Sequence, residues 1–124
     1  MISITGDDKM IPISEIRDRF YTDSIMTQRC ARLRGRSFYD VHCARVMKHK
    51  FRAVCVAIRH RQRFTEPLKN AEIRQELKHP ALFSEIIKFR RYKIFHIIFY
   101  MLGKFPSSIF VGVSYLIGKI MKWI

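Results

Sequence analysis

The stretch Ser37–Arg63, SFYDVHCARVMKHKFRAVCVAIRHRQR, decides how the rest of the chain is read. Phe38, Val41, Ala44, Met47, Phe51, Val54, Cys55 and Ile58 recur at three or four residues and so share one face of a helix. Arg45, Lys48, Arg52 and Arg59 gather on another face. Ser37 and Asp40 have the spacing of a capping box, with Asp in place of the usual Glu, and mark the start. The pattern predicts a basic amphipathic helix of roughly 25 residues.

Upstream, residues 1–36 read as an irregular N-terminal segment. Short β-favouring or loop pieces, Ile2–Ile4 and Ile11–Ile13, stand around Gly6, Asp7, Asp8 and Pro12, and RCARLRGR follows with a turn at Gly35. Downstream, Thr65, Pro67 and Asn70 interrupt the period, and a short helix is expected from Ala71 to Lys78. It ends at His79, because Pro80 disfavours a helical residue before it. Residues 37–79 therefore form a basic helical region. Pro80 suits the first turn of a new helix, which is expected to run through FSEIIKFRRYKIFHIIFYMLG and stop or kink at Gly103, Lys104, Phe105 and Pro106. Ser107 or Ser108 can cap a last helix, SSIFVGVSYLIGKIMKWI. The expected fold class is mainly α: an irregular start, the basic amphipathic helix, a short helix, and a membrane-associated helical pair over 80–124.

The chain of 124 residues is about one domain long and carries 24 Lys and Arg against 10 Asp and Glu, a net charge of +14. An anionic partner is expected. The excess sits in the middle, where residues 25–63 hold 11 basic and 1 acidic side chain, while residues 93–124 hold 4 and none. Three cysteines, Cys30, Cys43 and Cys55, are odd in number and widely spaced, which argues against a disulfide framework and for a reduced, cytosol-facing location. The N-terminal MISITGDDKMIPISEI lacks the basic start and apolar core of a signal peptide, so membrane contact is expected from the other end.

Between Ile94 and Gly118 lie 25 residues with one formal charge, flanked by Lys88, Arg90, Arg91 and Lys93 on one side and Lys119 and Lys122 on the other. A span needs about 20 apolar residues. Lys104 would then stand near mid-bilayer at a cost of roughly 2.5–3.5 kcal/mol, beside Pro106. Two shorter helices meeting at that corner fit the headgroup layer better, with lysines reaching water and Tyr92, Tyr100, Tyr115 and Trp123 near the interface. A buried helical hairpin is the other reading, since runs of 10–14 apolar residues are often core helices. The expected membrane- and anion-binding residues are Arg45, Lys48, Arg52, Arg59, Lys88, Arg90, Arg91, Lys93, Lys104, Lys119, Lys122 and Trp123. Anionic membrane lipids on the cytoplasmic face are the expected partner.

Catalytic patterns are thin. Cys30, Cys43 and Cys55 with His42, His49 and His60 show no CxxC or HExxH spacing, so zinc is not expected. His42 and Cys43 point about 100° apart on a helix and cannot pair directly. No phosphate-cradling glycine loop occurs, and Asp7 and Asp8 read as a solvated turn. No cofactor and no catalytic residue is assigned. Nucleic acid is a weaker alternative for the basic residues, which include Arg29, Arg32, Arg34, Arg36, Lys50, Arg61 and Arg63.

Ile11 to Gln28, IPISEIRDRFYTDSIMTQ, resembles the stretch that follows the catalytic domain in bacterial family 2 glycosyltransferases, through Arg19, Asp23, Ser24, Ile25, Met26 and Thr27. Tyr21 stands where those enzymes often have a second arginine. Residues 67–106 look like their basic amphipathic carboxyl tail. The resemblance implies a strand followed by a turn at residues 11–28, and docking at the cytoplasmic membrane where lipid-linked acceptors reside. The nucleotide-sugar domain with its D-x-D motif has no counterpart, so a tail without its transferase core is implied, one that does not turn over sugar donor alone. Three functions are thus in view. The first is a membrane-docking module, and the second a small single-pass membrane subunit or viral-type membrane protein. The third is a chain that completes a transferase supplied by another polypeptide.

Overall fold

Pro12 opens the first helix. Its φ of −57° is already helical, and the N–H of Ile13 is taken by Thr65 Oγ1 at 3.1 Å, so a backbone donor that the helix start leaves free finds a partner. The computed structural model describes residues 10–122, apart from the side chains of Ser107 and Ser108. Among the described residues the α-helices are α1 (Ile13–Ala31), α2 (Tyr39–Arg59), α3 (Asn70–Glu76), α4 (Phe83–Ile86), α5 (Lys93–Leu102) and α6 (Ser107–Ile120). A 3₁₀ turn at Arg61–Arg63 follows α2. The chain is mainly helical, as its periodicity predicts.

α1 replaces the irregular segment expected before Ser37. Its inward positions, Ile13, Ile16, Asp23 and Cys30, keep helical spacing, but Asp23 sits in the middle of the stripe and breaks the apolar signal. Thr22, Ser24 and Thr27 turn their hydroxyls onto the carbonyls of Asp18, Tyr21 and Asp23, which lets polar residues ride inside the helix. Of the β-favouring pieces, Ile11 makes an isolated parallel bridge with Phe64, its N–H donating to Arg63 O at 2.7 Å. Ile2–Ile4, Gly6, Asp7 and Asp8 lie outside the described residues.

α2 is the hub, packing against α1, α3, α5 and α6. Its buried face is wider than the expected stripe. Tyr39, Cys43, Val46, Met47, Phe51, Ala53, Val54, Cys55 and Ala57 are buried, whereas Phe38 is exposed and Val41, Ala44 and Ile58 are half-buried. Small residues at 53 and 57 allow neighbours close approach on a second side. Two apolar clusters result. One joins Ile13, Ile16, Met47, Phe51, Val54, Phe64, Leu68, Ile73, Leu77, Phe99, Leu102 and Phe110. The other joins Cys30, Tyr39, Cys43, Val46, Ala81, Ile86 and Phe89.

The expected capping box does not form. Phe38 adopts a left-handed φ of 64° before α2, and Asp40 uses its carboxylate elsewhere: Oδ1 accepts the Val41 N–H, while Oδ2 accepts the Arg91 N–H at 3.0 Å and the Arg91 Nε at 3.2 Å. That anchor explains a second difference. The helix expected from Leu82 to Gly103 is broken at residues 87–92, where Phe89 turns inward against Tyr39, Arg91 meets Asp40, and Tyr92 takes a left-handed φ of 60°. The break at Gly103–Pro106 is where the sequence places it. Capping of α6 by Ser107 or Ser108 lies outside the described side chains.

A neutral imidazole relay ties α5 to α2. The Ala81 N–H donates to His79 Nδ1, so His79 Nε2–H points to His96 Nδ1 at 2.8 Å, and His96 Nε2–H donates to Asp40 O at 3.0 Å. Burial and the neighbouring His96 push His79 down to about 3, which keeps the pair uncharged.

Phe51 stands at the junction of α2 and α5, fully buried, with its ring 4.8 Å from that of Phe99. Truncating Phe51→Ala is expected to lower unfolding free energy by about 3–5 kcal/mol. Urea denaturation of the two proteins checks this, and a loss under about 1 kcal/mol would show that α5 is not seated there.

Candidate functional site

α5 and α6 each turn one side to the core and leave the other bare. α5 buries His96, Phe99 and Leu102, and exposes Ile94, Ile98 and Met101 at helical spacing. α6 buries Phe110, Ser114 and Gly118, and exposes Ile109, Leu116 and Ile120 on the opposite side. Ile94 and Ile120 are 74% and 73% exposed, far more than a residue waiting on its own core would be. Leu82, Phe83 and Ile87 continue the apolar surface beside α5, with the Phe83 ring 5.2 Å from Tyr100. Residues 93–124 contain no acidic side chain. The outer positions of α5 and α6 are thus apolar, with cations and no acidic side chain in their own stretch, while Glu85 of α4 is bound by Arg34.

The cations expected to serve that surface divide. Lys88, Arg90, Lys93, Lys104, Lys119 and Lys122 are exposed around α4, α5 and α6. Lys104 Nζ lies 5.3 Å from the Tyr100 ring and Lys119 Nζ 5.5 Å from the Tyr115 ring, so each charge is held over an aromatic side chain of its own helix or corner. Arg91 is drawn away, bound to Asp40 and lying 4.3 Å over the Phe38 ring. Arg45, Lys48, Arg52 and Arg59 are exposed along α2. Trp123 lies outside the described residues.

Other basic residues hold the fold. Arg34 pairs with Glu85 at 2.9 Å and donates to Pro80 O, Arg61 donates to Leu68 O and to Asn70, and Arg17 joins Glu72 and Glu66. Glu72 also accepts the Lys69 N–H that opens α3. Lys50, read from sequence with the phosphate-neutralising cations, is 2% exposed and donates to Lys78 O at 2.6 Å, at the end of α3.

Around Lys50 sits a polar cluster that spacing could not show. Asp23 and Glu76 are buried beside it, and both Asp23 carboxylate oxygens and Glu76 Oε2 lack a hydrogen-bond partner. His49 Nε2 stands 3.4 Å from Asp23 Oδ1, close enough for attraction though not aligned for a hydrogen bond. Burial, together with the adjoining Asp23, pushes the Glu76 carboxyl up to about 10, so it is protonated and can donate to Asp23. Burial pushes Lys50 down to about 8, against the pull of Glu76 and Asp23. A cavity of about 200 Å³ borders Lys50 and Glu76, walled also by Phe20, Ser24, Thr27 and Gln75.

Cys30 and Cys43 thiols face each other at 3.6 Å, and Cys55 lies in the other apolar cluster. All three are free, and among the described residues no group of three His, Cys, Asp or Glu could hold a metal ion. The residues that carry the glycosyltransferase resemblance lie within α1, a continuous helix, where the resemblance implies a strand and a turn. Comparisons with protein-family models, with curated proteins and with solved structures find no match.

The sign of the pH effect follows from Glu76. Its folded form holds a proton that the unfolded form releases above about 4.5, so its contribution to stability falls as pH rises from there towards 10, offset up to about 6.5 by His79, whose contribution rises with pH between about 3 and 6.5. Lys50 acts in the opposite sense only between about 8 and 10.5. Glu76→Gln, which mimics the protonated acid, is expected to match the wild type near pH 5 and to exceed it at pH 8. The gap should open at no more than about 1.4 kcal/mol per pH unit. Denaturation midpoints at both pH values check this; a gap that shrinks with rising pH would contradict it.

Proposed function

We propose that the chain is a docking module for anionic membrane surfaces, seated through the bare sides of α5 and α6 with the surrounding lysines in contact with headgroups. The observation that carries the reading is the coincidence of two properties along α5 and α6: isoleucines left open to solvent at helical spacing, and charged side chains that are all positive over residues 93–124. Contiguous exposed apolar side chains mark sites that meet another apolar phase. Half-burying six of them contributes on the order of 1 kcal/mol each, and each lysine near an anionic surface about 1 kcal/mol more. Together these offset the loss of free motion on attachment.

Among the described residues no helix is long and apolar enough to cross a membrane; α5 and α6 are separate helices of 10 and 14 residues. This geometry supports seating in the headgroup layer in preference to a single span. The cytoplasmic face is part of the proposal, through the free thiols, which suit a reducing compartment. A glycosyltransferase catalytic domain is the companion suggested by the resemblance of residues 11–28, and in that arrangement this chain supplies attachment and no reacting group.

Flotation with phosphatidylcholine vesicles carrying phosphatidylglycerol tests the reading. The full chain is expected to float with them and to float less at high salt. Ile98→Asp with Leu116→Asp, both on exposed positions, is expected to cut vesicle binding by more than tenfold while leaving helix content unchanged. Failure of the unaltered chain to float, with or without anionic lipid, would reject the proposal.

A further inference from the structure

The apolar cluster between the end of α1 and the start of α2 holds two thiols that the docking surface does not use. Cys30 is the last residue but one of α1, and Cys43 lies in the second turn of α2. Their sulfurs stand 3.6 Å apart, in a cluster with Tyr39, Val46, Ile86 and Phe89. A disulfide holds its sulfurs at about 2.05 Å, so a closing movement of roughly 1.5 Å separates this pair from a covalent bond. Chain spacing does not report the pairing, which exists only once α1 folds back on α2. Cys55 lies in the other cluster, with Met47, Phe51 and Val54. The two facing sulfurs differ in access, Cys30 being 3% exposed and Cys43 0%. They also differ in their hold on a proton. The hydrogen bond from Cys43 keeps the Cys30 thiol below its ordinary value, with burial opposing and the charge of Lys50 assisting, while the same bond and burial push Cys43 up.

We propose that Cys30 and Cys43 form a peroxide-responsive dithiol, in which Cys30 is oxidised first and Cys43 closes the disulfide. Hydrogen peroxide is little larger than water and enters at the edge where Cys30 meets solvent. The Cys30 thiolate attacks one peroxide oxygen: an S–O bond forms, the O–O bond breaks, and the departing hydroxide takes the proton that Cys30 released, leaving as water. Cys43 then attacks the sulfenic sulfur. The S–S bond forms, the S–O bond breaks, and the hydroxyl leaves with the Cys43 proton as a second water. The two thiols lose two electrons, and one peroxide gains them. The new bond ties the end of α1 to α2 across the turn that contains Gly35, where φ is 81°. No lipid enters this chemistry, so the inference stands apart from the docking reading.

Peptide mapping of the full chain tests this. The reduced protein, freed of reductant, is treated with a small excess of hydrogen peroxide; remaining thiols are alkylated with N-ethylmaleimide in denaturant, and the peptides are identified by mass spectrometry. A Cys30–Cys43 crosslink, lighter by two hydrogens and reversed by dithiothreitol, is expected to exceed every other pairing by about tenfold or more, because the fold holds these two sulfurs together. Cys55 is expected to be alkylated. The same treatment in urea separates folded proximity from chance encounter: Cys43 is nearly as far along the chain from Cys55 as from Cys30, so the unfolded chain should form both pairings to a similar extent. Cys43→Ser is expected to leave Cys30 as a sulfenic acid that dimedone labels, whereas Cys30→Ser should leave Cys43 open to alkylation. If the folded wild-type chain forms no Cys30–Cys43 crosslink, or if Cys55 takes an equal share of the bonds there, the proposal is overturned, whether or not the chain floats with vesicles.

Discussion

The structure depends on the burial of α2 on more than one side. Four other helices pack on it, and it turns inward not only Met47, Phe51 and Val54 but also Cys43, Val46, Ala53 and Ala57. A helix that meets the core by one stripe can shift without great loss, whereas a helix enclosed on several sides sets the position of everything around it. α5 is seated by Phe99 on Phe51, and the turn before it by Arg91 on Asp40. Because these contacts take one side of α5, its other side is left facing outward. The candidate surface is thus a consequence of how α2 is covered.

The interior is unusual for the polar groups it admits. Asp40, His96 and His79 form a chain of satisfied hydrogen bonds that crosslinks α2, α5 and the loop before α4, and such networks specify one arrangement when every member is paired. Asp23, Glu76 and Lys50 are less well matched, since three carboxylate oxygens there have no hydrogen-bond partner. The proton that Glu76 holds removes one negative charge from this buried group. Specificity gained in this way comes at a cost in stability.

What the sequence disclosed follows the strength of its periodic signals. α2 and the break at Gly103–Pro106 were legible because apolar spacing and Gly/Pro punctuation both survive in the fold. α1 was hidden, because its inward stripe contains Asp23 and its hydroxyl residues resemble a loop until their bonds to helix carbonyls are seen. The interruption at residues 87–92 was hidden for a different reason: it is imposed by Asp40, some fifty residues away, and no local pattern reports a distant partner. Of the expected anion-binding cations, those on α2 and around α5 and α6 are exposed, while Arg91 is engaged by the fold.

In the proposed docking, the interior built on α2 stays folded while the outer sides of α5 and α6 meet lipid. Amide hydrogen exchange, followed with and without phosphatidylglycerol-containing vesicles, tests this most directly. The proposal predicts slower exchange in α5 and α6 when vesicles are present, with α2 unchanged. Faster exchange in α2 on vesicle binding would contradict it, since the terminal helices would then be leaving the core to reach the membrane.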